Sequence, residues 1–377
     1  MSVSVAEIVR TRRVIVCAGS GGVGKTTTST AIALTAAQQG RHVLALTVDP
    51  SRRLAQTLGV DRNLPEPTAI PAERCIKAGI EPGKLEAWML DPGIVADKFV
   101  HKFAETPEEA ARLTQNRIYK QVSRMIAGMQ EYMAMEALAG FVKEDRYDLI
   151  VLDTPPSRNA LDFLYGPSRL ANFLDGRIFQ LFLPAERRSF IRRAASRMVN
   201  GVNAAIFGAE NYAELQDFFV SFSSIFTRMN RNATAGLEAL RNPEDVAFLL
   251  VTSPATEALT DAFFFRRKTL ELELPFRGFV LNRSQAGADG RVHPTAEIFG
   301  GKANDVQLSA LAKLQALGLI EEAAVIRDRD LLAHLFEEAG EDAFAIALPN
   351  LPMGAESMEA LITLGAVLAE NDGAEAA

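Results

Sequence analysis

Residues 18–28 read AGSGGVGKTTT. Within them Gly19, Ser20, Gly21, Gly22, Val23, Gly24, Lys25 and Thr26 satisfy the spacing G-x-x-x-x-G-K-[ST] at every fixed position. Each fixed type has a chemical reason. Glycines let the backbone close around phosphates with successive N–H groups pointing inward, and a following helix N-terminus adds positive dipole. A lysine at this place reaches the β- and γ-phosphates of a nucleotide, and the hydroxyl after it can ligate Mg²⁺. Lys25 and Thr26 fill these posts, and Thr27 continues the same turn. A glycine-rich turn can match such a spacing by accident. Here the match stands between a strand-like run and a helix-like run, the context that the chemistry requires.

Two acids can complete the site. Asp153 ends the apolar run DLIVLD, from which a carboxylate can hold the water shell of a magnesium ion beside the loop. Asp49, in TVDPSRR, closes the strand after the loop helix and can orient or deprotonate an attacking water. Both also read as turn or cap residues, which aspartate near proline commonly is. Phosphoryl transfer needs cations near the γ-phosphate as well. Arg52, Arg53 and Arg158 follow the acids closely, and they read equally as solvated loop arginines.

The elements that must position these residues follow from hydrophobic patterning. RRVIVCA (12–18) is a short β-branched run with the flanks of a buried parallel strand. KTTTSTAIALTAAQQG reads as a helix ending at Gly40, and RHVLALTVDP (41–50) as the next strand, completing a βαβ unit. LEAWML (85–90), YDLIVLDTPP (147–156), DVAFLLVTSP (245–254), FRGFVLNRS (276–284) and DAFAIALPN (342–350) are further strands. Residues 93–143 and 159–241 read mainly as helices. The expected fold is α/β: a P-loop NTPase with a mostly parallel central sheet flanked by helices, plus an inserted α-helical lobe. The core is discontinuous, made of 1–92, 144–158 and 242–377, with 93–143 and 159–241 forming the lobe. The tail ENDGAEAA (370–377) reads as frayed.

Composition narrows the class. Across 377 residues, 48% are hydrophobic and 23% charged, the balance of a globular protein. The net charge of -7 and pI near 5.4 give no bulk attraction to nucleic acid or anionic lipid. There are two cysteines, Cys17 and Cys75, so neither a disulfide framework nor a cysteine zinc site is expected. Cys17 lies in an apolar run and reads as a small buried hydrophobe. His42, His101, His293 and His334 are scattered without metal-ligand spacing. The N-terminus has no apolar signal core, and no apolar run spans a bilayer. The expectation is a cytoplasmic protein that reaches a membrane only transiently.

In order along nearly the whole chain, the sequence resembles the ATPases of arsenite pumps (ArsA) and of tail-anchored membrane-protein targeting. The resemblance rests on GSGGVGKTT, on TVDPSRRLAQTLG and LDTPPSRNALDFL as two switches, and on GMQEYMAMEAL, LVTSPATEALTDAF and GFVLNRS. It implies ATP and Mg²⁺ as ligands, with Asp49 as the water-activating acid. Thr26 and Asp49 would lie at the metal, with Asp153 opening the second switch. Asn282 would read adenine, and Pro349 and Pro352 would form part of its wall. It also implies a dimer that opens and closes with nucleotide state and handles a hydrophobic or membrane-protein client.

Three departures distinguish this chain from the family pattern. Ser20 stands where the family carries a lysine that reaches a partner's phosphates, so the partner is a second copy or a related ATPase chain. The segment NRSQAGADGRVHP lacks the C-x-x-C that binds zinc between subunits in targeting homologues. The cysteines that collect metalloid in pump homologues are missing too. The sequence is similar to the bacterial branch without these features. Alternatives are a weakly hydrolysing subunit of a heterodimer, an arsenite-pump ATPase subunit, and a ParA/MinD-type partitioning ATPase, the last disfavoured by the long helical insertions.

The lobe carries two readings. Met125, Met129 and Met133 recur on one helix face with Ile126, Tyr132 and Met135 nearby, and Phe179, Phe182, Phe190 and FFVSFSSIF (218–226) add large apolar groups. These serve either interhelical packing or a methionine-lined groove for varied apolar partners. Arg187, Arg188, Arg192, Arg193 and Arg197 read as a solvated helix face or as a dock for an anionic surface.

Overall fold

The computed structural model describes residues 4–47, 53–61, 66–89, 92–122, 129–154, 208–288, 294–299, 303–351 and 357–370. The strands are β1 (Val14–Ala18), β2 (Val43–Thr47), β3 (Thr68–Ala69), β4 (Leu85–Met89), β5 (Leu149–Asp153), β6 (Val246–Thr252), β7 (Phe276–Ser284) and β8 (Phe344–Pro349). The helices are α1 (Val5–Thr11), α2 (Lys25–Gln38), α3 (Arg53–Leu58), α4 (Ala72–Lys77), α5 (Pro92–Phe103), α6 (Pro107–Gln115), α7 (Arg117–Val122) and α8 (Met129–Glu144). They continue as α9 (Ala209–Leu240), α10 (Thr256–Glu271), α11 (Asp305–Ala339) and α12 (Met358–Glu370).

One eight-stranded sheet runs in the order β3-β4-β2-β5-β1-β6-β7-β8, parallel throughout except for the antiparallel pair of β3 and β4. The central strands are buried along their whole length, which accounts for their near-continuous Val, Ile and Leu runs. Strand order changes direction around β1. From there the chain first builds outward through β2, β4 and β3, returns to insert β5, and then builds the other way. Crevices at such switch points, outside the carboxyl ends of the strands, are where α/β sheets bind ligands.

Two apolar layers cover the sheet, and the two-residue period of the strands assigns side chains between them. Ile15, Cys17, Val43, Ala45, Leu149 and Val151 pack with Ile8 of α1, Ile32 and Leu34 of α2, and Leu361 and Leu364 of α12. On the opposite face Val14, Val16, Ile150, Leu152 and Phe248 share a layer with Phe99, Leu138, Phe222, Phe226 and Phe265. The described helices of 93–143 and 209–240 therefore share a core with the sheet. Phe218, Phe222 and Phe226 are interhelical packing groups, all buried, with Phe222 and Phe226 stacked at 4.0 Å between centroids.

α2 is made of small residues, KTTTSTAIALTAAQ, and most of them are buried. Such a helix lies close to the sheet beneath α12, and this holds its N-terminus at the end of β1.

Candidate functional site

The loop after β1 turns directly into α2, with Gly24 as the N-cap at φ 95°. That left-handed conformation costs a residue with a Cβ about 1–2 kcal/mol. A Cβ on Gly24 would also lie 2.0 Å from Asn282 Nδ2, and one on Gly19 would lie 2.1 Å from the Val251 carbonyl oxygen. Both glycines are thus required by close approach. Gly24 makes no side-chain cap, so the first N–H groups of α2 face the loop rather than a capping oxygen. Gly21 and Gly22 are exposed, Val23 is buried, and Thr27 is half-buried.

Lys25 is buried at 5% exposure and donates from Nζ to the Ser20 carbonyl oxygen at 2.8 Å. The cation therefore lies folded across its own loop. Ser20 is itself buried. Thr26 donates its hydroxyl to Asp153 Oδ2 at 2.6 Å. Thr47, at the end of β2, donates to the same oxygen at 3.1 Å. Pairing of β5 with β2 sets Thr47 opposite Asp153, and pairing with β1 sets Cys17 opposite Asp153. Cys17, Thr47 and Asp153 fall on the α2 face by strand alternation. Asp153 is 2% exposed, and Thr154 beside it donates from N and Oγ1 to the Cys17 carbonyl.

Burial, with the negative charge of Asp153 second, pushes the Cys17 thiol well above its ordinary range, and Lys25 opposes this only in part. Cys17 is held as a thiol, the inert form of a buried cysteine. Cys75 is buried on α4, and both cysteines are free.

Asn282 lies near the end of β7, 4% exposed, and donates from Nδ2 to the Val23 carbonyl at 2.8 Å. It braces the phosphate loop from a neighbouring strand end. Its register comes from an irregularity in which Leu281 pairs with Ala347 while Ser284 pairs with Pro349. Arg283, in the extra position, takes φ 59° and faces solvent, so Asn282 and Ser284 both point inward. Asp328 of α11 fixes the chain beyond. Fully buried, it accepts from Gln285 N at 2.7 Å, Ser284 Oγ at 3.3 Å, and Arg327 Nε and Nη2 at 2.9 and 2.7 Å.

The structure therefore gathers Gly19, Ser20, Val23, Gly24, Lys25, Thr26, Asp153 and Asn282 at one carboxyl edge. Pro349 pairs beside them through Ser284. Asp49, Arg52, Arg158 and Pro352 lie outside the described residues, as do Met125, Phe179, Phe182, Phe190 and the arginine run 187–197. Of Arg53, only the backbone in α3 is described. Sequence reasoning did not single out Thr47 or Asp328. Thr47 carries a weak signal, a hydroxyl ending an apolar strand just ahead of an acid. Asp328 carries none, because IRDRD on a helix looks like any solvated charge cluster.

The donor set suits a nucleotide with its metal. A glycine loop running into a helix N-terminus, a lysine, and a hydroxyl touching a strand-end carboxylate are the parts that hold phosphates and Mg²⁺. A parallel sheet whose central strand opens into such a loop and helix defines a P-loop NTPase.

Within that class the chain belongs to the ArsA-type family described as anion-transporting ATPases, whose family model matches residues 12–261. The match ends inside α10, so β7 with Asn282, α11 and β8 lie beyond it. Over 181 residues the chain is 33% identical to "Uncharacterized protein SCO2128" of Streptomyces coelicolor, covering 47% of this chain and 41% of that one. It is 31% identical to "ATPase get3" of Aspergillus terreus over 166 residues, 44% of this chain and 46% of that protein. It is also 31% identical to "ATPase ASNA1 homolog 1" of Paramecium tetraurelia over 163 residues, 42% and 45% of the two chains. The aligned region is less than half the length of these relatives. Among the described residues no helix is long and apolar enough to cross a membrane.

Proposed function

We propose that the chain binds and hydrolyses Mg-ATP, and that nucleotide state drives opening and closing of a dimer that handles a hydrophobic or membrane-linked client. The observation that carries the hydrolase reading is the meeting of Thr26 with Asp153 beside the buried Lys25. In this reading the N–H groups of the loop and α2 bind the phosphates, and Lys25 exchanges the Ser20 carbonyl for a phosphate oxygen. Thr26 would hold Mg²⁺ directly and Asp153 would hold its water shell, while Asp49 would orient the attacking water. The metal, when bound, would supply positive charge to the phosphates. Asn282 would keep the loop in register and present its amide edge to the base. ATPases among the relatives and family support the same chemistry. The description of the family as anion-transporting ATPases supports the membrane link.

The test is phosphate release from purified protein with ATP and Mg²⁺. Expected is turnover that Lys25→Ala reduces by on the order of 10²-fold or more. Absence of ATP binding in the wild type, or turnover indifferent to that substitution, would overturn the proposal.

A second reading is favoured by Ser20: a nucleotide-binding subunit that hydrolyses slowly until a related chain supplies a cation. Ser20 is buried and its carbonyl is taken by Lys25, so this position offers no charge to a neighbour. Under it, adding Ser20→Lys chain to the wild type accelerates phosphate release. Equal rates with and without the variant chain would remove it.

A further inference from the structure

Thr47 lies outside the loop motif, yet it makes the same contact with the acid of the site as the motif threonine does. β2 and β5 run parallel in a register that sets Thr47 opposite Asp153. Neighbouring strands lie about 4.8 Å apart, so a short side chain on one spans to the other. Thr47 is buried and donates its hydroxyl to Asp153 Oδ2 at 3.1 Å. Thr26 donates to that same oxygen at 2.6 Å from the first turn of α2. Two hydroxyls, one from a helix and one from a strand, converge on one carboxylate oxygen.

The direction of these bonds matters. A threonine hydroxyl has one hydrogen and two lone pairs. Thr26 gives its hydrogen to Asp153, so its lone pairs remain for a cation at the phosphate loop. That arrangement holds only while the carboxylate keeps its plane. The terminal torsion of an aspartate is broad and roughly two-fold, so it sets no plane by itself. Thr47 sets it from the sheet. Its β-branch restricts its own χ1, and burial shields its hydroxyl from solvent. Asp153 orients Thr26, and Thr47 orients Asp153. Thr47 also stands two residues before Asp49, so the same bond pins the strand end from which that acid's segment departs.

We propose that Thr47 is a positioning residue for metal-bound nucleotide. Its hydroxyl holds the Asp153 carboxylate in the orientation that leaves Thr26 able to take a divalent cation, while Thr47 itself touches neither metal nor nucleotide. The inference rests on the Mg-ATP reading of the same site.

Calorimetric titration with ADP, once in Mg²⁺ and once in EDTA, tests it without turnover. The wild type is expected to bind ADP more tightly in Mg²⁺. Thr47→Val removes the hydroxyl and should cut that magnesium advantage by about tenfold, the scale of a hydrogen bond to a charged group. Affinity in EDTA should not change. Thr47→Ala removes the same hydroxyl without placing a methyl against the carboxylate, so the comparison stands even where valine unfolds the chain. Thr47→Ser keeps the donor and should restore the advantage. Thr154→Val is the control. That hydroxyl is also buried at the end of β5 but donates to the Cys17 carbonyl at 2.9 Å, and its loss should leave the advantage in place.

A full magnesium advantage in Thr47→Val and Thr47→Ala overturns the proposal. Equal loss of affinity in Mg²⁺ and EDTA, in whichever variant folds, also overturns it, because the hydroxyl would then shape the loop. An equal effect of Thr154→Val overturns it too, since packing at the strand ends would be the cause. A wild type that binds ADP without regard to Mg²⁺, or not at all, removes the Mg-ATP reading and this inference with it.

Discussion

Thr26 and Asp153, 127 residues apart in the chain, are joined by a 2.6 Å hydrogen bond from hydroxyl to carboxylate. One residue opens a helix and the other closes a strand, and they meet because β5 inserts between β2 and β1. Thr47 reaches the same carboxylate oxygen from the far side. The hydroxyl and the acid are thereby held in contact at the carboxyl edge of the sheet.

Asp153→Asn keeps the shape of the side chain and removes its charge. We expect phosphate release to fall by on the order of 10²-fold, with a higher Mg²⁺ requirement. A magnesium titration of steady-state turnover checks this, and superimposable curves for variant and wild type would contradict the metal role.

Gly24→Ala places a Cβ 2.0 Å from Asn282 Nδ2 in a residue at φ 95°. The expected result is loss of nucleotide binding and a stability loss of about 1–3 kcal/mol. Calorimetric titration with ATP and urea unfolding read the two effects. Undiminished affinity would show that the loop tolerates a wider turn than its packing implies.

Removing the Asp328 carboxylate leaves Gln285 N–H, the Ser284 hydroxyl and the Arg327 guanidinium without their common acceptor. Asp328→Ala should cost about 1–3 kcal/mol and speed hydrogen exchange at Gln285 without altering α2. Exchange mass spectrometry resolves the two segments. Equal protection at Gln285 in both proteins would mean that the carboxylate does not pin this turn.

Acid stability should depend on Glu86. Burial raises its carboxyl, but hydrogen bonds from the Tyr147 hydroxyl and Arg146, with the nearby charges of Arg146 and His42, outweigh this and leave it below its ordinary value of 4.5. Tyr147 donates at 2.6 Å and Arg146 at 2.7 Å. Since the folded state favours the carboxylate, its contribution is present above the ordinary value and disappears as pH falls through the depressed one. Melting temperatures measured from about pH 6 down to pH 3 should decline more steeply in the wild type than in Glu86→Gln. Parallel curves would show that the cluster contributes nothing through ionisation.

Much of the site was legible because its logic is local. Gly19, Gly24, Lys25 and Thr26 are tied by a spacing that backbone geometry enforces. Each main strand read from an apolar run was found within the span read for it. The structure adds α1, the short β3 and the helices α10, α11 and α12, which the sequence reading did not delimit. In α11 the reason is physical: exposed Leu314, Leu317 and Ile320 stand among exposed Lys313, Gln315 and Glu321, so no single apolar face marks it as a surface helix.

By itself the sequence determined the phosphate loop, the strand and helix that flank it, and the acid at the strand end. These follow from periods of two and 3.6 residues and from the steric freedom of glycine, all of which act within a few residues. Only the tertiary structure decided that β5 lies between β1 and β2, that Asn282 braces Val23, and that Asp328 holds the chain after β7. Those relationships join segments far apart, and they are selected by the summed burial of interchangeable Val, Ile and Leu side chains. No short stretch of sequence carries that sum.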